Sequence, residues 1–273
     1  MTKKINNYRP TYDWSKKKAF GLYENSHFSF PMNTVHYLDF IKYSDLVPDK
    51  SVNCIIADPP FGISFTGKES LYNRKSSNVQ SGYVEVDKYY DEFCKLWISK
   101  LFRMLNDKGS VWIFSGWSNL SSILNAISYT NFNLINHVIW KYQFGVYTKR
   151  KFVSSHYHLL FLTKSKDYFF NKIDNYPLDV WEINRTYSPN ELKNGTKLPH
   201  SLVMKCIDYS SKPGDLIFDP FMGNGTTAVV SKSSYRNYLG FEINKSMDKI
   251  IDNNLNQVDV GSSYSPYYSR IHH

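Results

Sequence analysis

The tetrad Asp58-Pro59-Pro60-Phe61 places a carboxylate, two prolines and an aromatic ring after the apolar run 52–57. The plain interpretation is a buried strand that the prolines end before a loop. Because proline restricts the residue before it to extended backbone, the Asp58 carboxylate and the Pro59 carbonyl point in fixed directions. Two such acceptors can bind both N–H bonds of a nucleobase amino group and free its lone pair for attack on a methyl group. Phe61 can stack on a base swung out of its helix, so all four residues are candidate catalytic residues.

A glycine-rich turn lies between a predicted strand, residues 216–218, and a predicted helix, residues 226–233. Glycines let the backbone turn tightly and approach a ligand, and the free N–H groups of a helix start favour a polar or anionic group. Glu242 ends the next strand 23 residues after Asp219, the spacing at which an acid accepts ribose hydroxyls in nucleotide-binding α/β folds. No lysine follows the glycines, which disfavours a phosphate-binding loop, and a mere tight turn is the plainer alternative. The candidate cofactor-binding residues of the turn are Asp219, Pro220, Phe221, Gly223, Asn224, Gly225, Thr226 and Thr227.

Apolar residues alternate between strand-like and helix-like spacing along most of the chain. This alternation predicts an α/β fold with a mostly parallel, twisted sheet and helices on both faces. The predicted strands are 52–57, 110–114, 137–140, 158–162, 216–218 and 238–241, and the predicted helices are 89–106, 118–130, 201–209, 226–233 and 244–254.

Composition divides the chain into three parts. Residues 1–33 are interpreted as an N-terminal extension that packs loosely or meets a partner, and residues 34–256 as the main domain. Residues 257–273, rich in serine and tyrosine, are interpreted as a frayed tail. Within the domain, residues 62–88 resemble a mobile loop, and residues 165–195 are polar and irregular.

Charge and cysteine content narrow the classes of partner and site. Lysine and arginine number 33 against 24 acidic residues, a net charge of +9, which suits an anionic partner such as nucleic acid. The basic run Lys149-Arg150-Lys151 could contact phosphates or form a solvated turn. Three scattered cysteines without a CxxC pair predict neither a zinc site nor a disulfide framework, and no other metal is implied. Short apolar stretches and a polar start predict a cytoplasmic protein without a membrane span.

The motif DPPF followed much later by DPFMGNGTT resembles the S-adenosylmethionine-dependent amino-DNA methyltransferases. The order, with the catalytic motif first, is similar to the β-group of that family, and the similarity covers most of residues 34–254. It implies a Rossmann-like methyltransferase fold and S-adenosylmethionine as cofactor. It also implies that Asp58 and the Pro59 carbonyl bind the target amino group, that Phe61 holds the flipped base and that Glu242 binds the ribose hydroxyls. In the same resemblance, the cofactor turn is shaped by Phe221, Gly223 and Gly225.

The resemblance implies two more cofactor contacts. Asp39 precedes Asp58 by 19 residues, where the family often has an acid near the cofactor adenine. Residues 193–199 stand where the family often reads KHPTQKP, and Thr196 is one of the three positions that match. Phe61 departs from the more usual tyrosine, which preserves stacking and loses a hydroxyl. The segment 165–195 is the candidate target-recognition region.

The implied activity is site-specific methylation of the N6 amino group of adenine in double-stranded DNA, of the kind found in restriction–modification systems. Asp58, rather than serine, at the first motif position favours adenine N6 over cytosine N4, which is the nearest alternative. An RNA or small-molecule amino methyltransferase and a catalytically silent nucleic-acid-binding subunit are further alternatives. A second copy of the chain and a cognate restriction endonuclease are further candidate partners. With an ordinary carboxyl pKa Asp58 is a poor base, so we expect the amino proton to leave to solvent.

Overall fold

The computed structural model describes residues 8–60, 90–143, 145, 149–185 and 197–271. Within these ranges an eight-stranded sheet carries helices on both faces, as the sequence predicts. The strands are β1 (Thr34–His36), β2 (Val52–Ala57), β3 (Leu105–Ser115), β4 (Asn133–Lys141), β5 (His156–Thr163), β6 (Val180–Glu182), β7 (Leu216–Asp219) and β8 (Asn237–Phe241). The helices are α1 (Lys16–Glu24), α2 (Phe40–Tyr43), α3 (Tyr90–Met104), α4 (Leu120–Ser128), α5 (His200–Ser210), α6 (Thr226–Ser233), α7 (Asp248–Asn256) and α8 (Tyr267–Ile271).

The strand order is β1-β8-β7-β2-β3-β5-β4-β6. Strand β5 runs antiparallel to both of its neighbours, and every other neighbouring pair is parallel. The carboxyl ends of the parallel strands therefore meet at one edge of the sheet, where ligands bind in open α/β folds.

Both faces of the sheet are buried, which explains why the central strands read as nearly continuous apolar runs. On one face Ile55 and Ile113 pack with α3 and α4 around the fully buried Trp97. On the other face Ile56 and Trp112 pack against α5. Successive residues of β2 alternate between these two cores, as strand geometry requires.

Two predictions about the ends of the chain are wrong for the described residues. The N-terminal segment does not pack loosely, because Trp14 is buried in one aromatic cluster with Tyr264 and Tyr267, and its alternative role of meeting a partner stays a prediction. The C-terminal tail is not frayed, since the Tyr264 hydroxyl donates to the Trp14 carbonyl at 2.8 Å and the Tyr267 N–H donates to Asp13 at 2.7 Å. Aromatic residues in both segments supply enough apolar area to order each other against the domain. The division of the chain at residues 33 and 256 stays a prediction.

The predicted elements are present with small shifts at their ends. Strand β3 begins at Leu105 rather than residue 110, because Leu105 pairs with Val52 of β2. Helix α7 begins at Asp248 after a 3-10 turn, Lys245–Met247. Strand β6 lies inside the segment 165–195, which the sequence alone presents as irregular. No helix among the described residues is long and apolar enough to cross a membrane.

Candidate active site

Three acidic residues lie together at the carboxyl ends of adjacent parallel strands. Strand β7 lies between β2 and β8, with Ile55 paired to Phe218 and Phe218 paired to Leu239. Asp58 directly follows β2, Asp219 ends β7 and Glu242 directly follows β8. Parallel pairing therefore brings the predicted catalytic acid and the two predicted cofactor acids to one edge of the sheet.

The glycine turn between β7 and α6 is held from within by Asp219. One oxygen of this buried carboxylate accepts from the Phe221 N–H at 2.9 Å and the other accepts from the Thr227 hydroxyl at 2.6 Å. Gly223 and Gly225 have φ angles of +56° and +84°, the left-handed region that other residues rarely adopt. These contacts fix the turn and leave the space above Gly223 open, because an added Cβ there would meet only the Phe221 carbonyl oxygen, at 3.9 Å.

The other residues of the turn anchor it to the core. The Phe221 ring packs edge-on against Trp97 with centroids 5.2 Å apart, so its side chain supports the turn from beneath. The Asn224 side-chain oxygen accepts from the Thr226 hydroxyl at 2.9 Å, and the Asn224 carbonyl accepts from Asn254 of α7 at 3.0 Å. Pro220 is buried beside Asp219.

The Glu242 carboxylate is hydrogen-bonded to the glycine turn. One oxygen accepts from the Gly223 N–H at 2.7 Å, and the other accepts from the Asn244 N–H at 2.8 Å. The residue is 9% exposed, and burial raises its pKa while these backbone donors oppose the rise. A carboxylate oxygen has more than one lone pair, so each oxygen keeps the capacity to accept a hydroxyl of a ligand.

Asp58 is a half-buried acid with a perturbed pKa. Burial, and to a smaller extent the neighbouring Asp219 charge, raise its pKa to about 7 against the opposing effect of the Arg185 cation. Asp219 likewise has its pKa raised to about 7, mainly by burial. The expectation of an ordinary carboxyl pKa for Asp58 is therefore wrong, because the sheet edge removes water and places a second acid beside it. At neutral pH, Asp58 is poised between its protonated and ionised forms.

The remaining predicted residues are distributed along the same edge or lie outside the described ranges. Asp39, beyond the carboxyl end of β1, caps α2 by accepting from the Ile41 N–H at 2.9 Å, and β1 is the neighbour of β8. Pro59 is buried and Pro60 half-buried. Phe61 and Thr196 lie outside the described residues, so their roles stay predictions.

The predicted DNA-binding residues lie in the connection between β4 and β5. Strand β4 ends and β5 begins at the edge that carries Asp58. Lys149, Arg150 and Lys151 are exposed there. Phe152, the next residue, is 99% exposed. The described part of this connection therefore carries three exposed basic residues and one exposed aromatic ring.

An aromatic cluster around Arg185 is a feature that the sequence did not reveal. The Arg185 guanidinium lies over the Tyr142 ring, 3.8 Å from its centroid, and within 5.5 Å of the Trp140 and Tyr157 ring centroids. Tyr142 is buried and also contacts this cation. Arg185 carries no sequence signal, because the strand that positions it has only three residues.

The donor set at this edge suits an organic ligand with hydroxyl and cationic groups. Among the described residues, no group of three or more His, Cys, Asp or Glu side chains could hold a metal ion. The open space above Gly223 and the Glu242 carboxylate beside it fit a nucleoside ribose. Nearby carboxylates favour a ligand with positive charge.

Comparisons with known proteins agree with this arrangement. A family model described as DNA methylase, which spans the N6 and N4 amino methyltransferases, matches residues 52–253. Type II methyltransferase M.HinfI of Haemophilus influenzae is 29% identical over 250 residues, covering 83% of this chain and 69% of that protein. Type II methyltransferase M1.MboII of Moraxella bovis is 26% identical over 270 residues, covering 84% of this chain and 98% of that protein.

Solved structures share the fold. The complex of M1.HpyAVI with S-adenosylmethionine superimposes with a TM-score of 0.62 at 23% identity, covering 82% of this chain and 98% of that one. The cytosine-N4-specific PvuII DNA methyltransferase gives a TM-score of 0.60 at 16% identity, covering 88% of this chain and all of that one. The family match spans well over half of the 273 residues and includes both motifs. The chain belongs to this family of amino-DNA methyltransferases, whose cofactor is S-adenosylmethionine.

Proposed function

We propose that the protein is a site-specific DNA methyltransferase that transfers a methyl group to the N6 amino group of adenine. The observation that carries the proposal is the position of Asp58. It directly follows β2 at the sheet edge where the glycine turn and Glu242 meet, and Pro59 fixes the backbone that follows it. A methyl acceptor bound at Asp58 would lie next to a cofactor bound at the turn.

In this proposal, Asp58 and the Pro59 carbonyl accept the two N–H bonds of the target amino group. This pulls the nitrogen toward tetrahedral geometry and frees its lone pair. When bound, S-adenosylmethionine supplies the methyl group from its sulfonium sulfur. A carbon–nitrogen bond forms as the carbon–sulfur bond breaks, and the nitrogen then loses one proton. A pKa of about 7 lets Asp58 hold that proton before solvent removes it.

We assign the cofactor to the space above the glycine turn. Glu242 would accept the ribose hydroxyls, and the N–H groups at the start of α6 would face a polar or anionic group. Asp39 and Thr196 are assigned to the cofactor by resemblance alone. The acidic edge formed by Asp58, Asp219 and Glu242 would attract the positive sulfonium group.

We assign duplex DNA to the surface beside this edge. Lys149, Arg150 and Lys151 would contact backbone phosphates. The net charge of +9 supports an anionic partner. The two curated relatives are Type II methyltransferases, which supports a defined DNA target and a search for a restriction endonuclease with the same target.

Cytosine N4 is the second candidate acceptor. The family model covers both amino groups, and the PvuII enzyme with the same fold is cytosine-N4-specific. Asp58 in place of serine supports adenine. Both bases present an exocyclic amino group beside a ring acceptor, so the acidic edge described above suits either.

The test is incorporation of labelled methyl from S-adenosylmethionine into unmethylated duplex DNA, followed by nucleoside analysis. We expect N6-methyladenine. N4-methylcytosine would keep the mechanism and overturn the base assignment. Cofactor binding without methylation of DNA would overturn the proposal, and a parallel reaction with RNA would then identify an RNA enzyme.

A further inference from the structure

Arg185 is held in an aromatic box at the active-site edge. Its guanidinium carbon lies 3.8 Å from the Tyr142 ring centroid, 5.4 Å from that of Tyr157 and 5.5 Å from that of Trp140. Distances of this size allow cation–π attraction with all three rings. The box therefore fixes the position of a positive charge.

The backbone of Arg185 is clamped as tightly as its side chain. The Arg185 N–H donates to the Gln143 side-chain oxygen at 2.9 Å, and the Gln143 amide nitrogen donates to the Arg185 carbonyl at 3.2 Å. Nearby, the Trp140 indole donates to the Ile183 carbonyl at 2.7 Å. These bonds extend the pairing of β4 with β6 past the ends of both strands and hold Arg185 at the edge.

The guanidinium is not fully satisfied by the protein. Its Nε is buried and finds no acceptor among the described residues. A buried donor without a partner lowers the stability of a fold, so packing alone does not explain an arginine here. A role in the site gives a reason for the charge.

Arg185 and Asp58 share one face of the sheet. Ile56 packs in the α5-side core with Trp140 and Tyr142, and Asp58 follows Ile56 by two residues, the period that returns a strand side chain to the same face. Asp58 also interacts electrostatically with Asp219 at the end of β7 and with Tyr90 of α3. Among these described neighbours, Arg185 is the cation.

We propose that Arg185 is a positioning residue for methyl transfer, whose caged guanidinium keeps the Asp58 carboxylate ionised so that it can accept the amino hydrogens of the target base. This inference rests on the proposed function. A protonated Asp58 would present a hydroxyl donor to an amino group that is itself a donor. Burial and the Asp219 charge both favour that protonated form, and the Arg185 charge opposes it.

The first test titrates Asp58 directly, without cofactor or DNA. The carboxyl carbon signal of Asp58, assigned by its loss in Asp58→Asn, is followed by NMR across pH 5–10. In Arg185→Met we expect the titration midpoint to rise by about one pH unit, the order of magnitude for removing one charge that acts on a buried carboxyl group. An unchanged midpoint overturns the proposal.

Two matched variants separate charge from packing. Arg185→Lys keeps the charge, so we expect its midpoint to stay near that of the wild type. Lys205→Met removes another cation on the same face, which lies 4.7 Å from the Trp181 ring centroid, and should leave the midpoint unchanged. A rise in Arg185→Lys equal to that in Arg185→Met would show that packing, not charge, sets the midpoint, and would overturn the proposal.

The second test follows the pH dependence of kcat/KM for methyl transfer to DNA. We expect the acidic limb of the Arg185→Met profile to move to higher pH by the same amount, with activity largely recovered above pH 9. A uniform loss at every pH overturns the proposal. If the wild type methylates no DNA, the proposed function fails, while the titration still decides whether Arg185 controls Asp58.

Discussion

At the scale of single residues, Asp58 combines a functional carboxylate with an unfavourable environment. Its pKa rises from 3.8 to about 7 in the folded protein, chiefly because of burial. Ionising Asp58 is therefore more costly in the folded than in the unfolded state. The wild type loses stability as pH rises from about 4 to about 7, and the loss is complete above that range. Functional sites often carry such a cost.

Asp58→Asn should therefore stabilise the protein in a pH-dependent way. Asparagine has a similar shape and no charge, so the gain should grow by roughly 2–3 kcal/mol between pH 5 and pH 8. Urea unfolding at several pH values measures this difference. Asp259→Asn, at an exposed position, serves as the control and should change little at any pH. A difference for Asp58→Asn that does not grow with pH would contradict the described environment.

At the scale of elements, the turn between β7 and α6 depends on a glycine with a left-handed backbone. In Gly223→Ala the new Cβ meets no close neighbour. Folding stability should nevertheless fall by about 1 kcal/mol, because alanine rarely adopts a φ of +56°. The methyl group also enters the space that we assign to the cofactor. We expect the Kd for S-adenosylmethionine, measured by calorimetry, to rise at least about tenfold.

Gly21→Ala is the matched control for this substitution. Gly21 lies inside α1 with open space around its Cα, so alanine should stabilise the helix by about 0.5–1 kcal/mol. Cofactor affinity should stay unchanged. Equal cofactor affinity in Gly223→Ala and the wild type would place the cofactor elsewhere.

The elements also show which parts of the fold a sequence can predict. Helix α3 and strand β2 are predictable because periodic apolar residues extend over many positions, and the motif at Asp219 is predictable because glycine and proline limit the backbone locally. Strand β6 is not predictable from the sequence, because three residues are too few to show a hydrophobic period. The strand is defined by its pairing with β4, which is a tertiary contact. The position of Arg185 depends on that pairing, and the raised pKa of Asp58 depends on packing between distant segments. Neither could be predicted from the sequence.

At the scale of the whole molecule, two clusters of exposed basic residues lie at opposite edges of the sheet, and one of these edges carries the candidate site. Lys149, Arg150 and Lys151 lie in the β4–β5 connection at the site edge. Three exposed lysines of α1, residues 16–18, lie towards the opposite edge, because α1 contacts Gly214 just before β7 begins. The two groups carry equal charge and differ in position.

Replacing Lys149, Arg150 and Lys151 together by methionine should weaken DNA binding and its dependence on salt. The slope of log K against log salt concentration should become shallower by about two to three, because each phosphate that the protein no longer neutralises changes the slope by close to one. Fluorescence anisotropy at several salt concentrations measures this slope. The same replacement of Lys16, Lys17 and Lys18 should leave the slope almost unchanged. Equal effects from the two triple variants would show that net charge, not this surface, governs binding.

The central claim is that the Asp58 carboxylate accepts a hydrogen bond from the target amino group beside a preformed cofactor site. The most direct measurement is single-turnover methyl transfer to duplex DNA by the wild type and by Asp58→Ala at saturating S-adenosylmethionine, with cofactor affinity measured on the same samples. We predict that Asp58→Ala still binds the cofactor, with an affinity lowered less than about tenfold by the lost carboxylate, and transfers methyl at least about 100-fold more slowly. Transfer by Asp58→Ala at a rate near that of the wild type would contradict this claim.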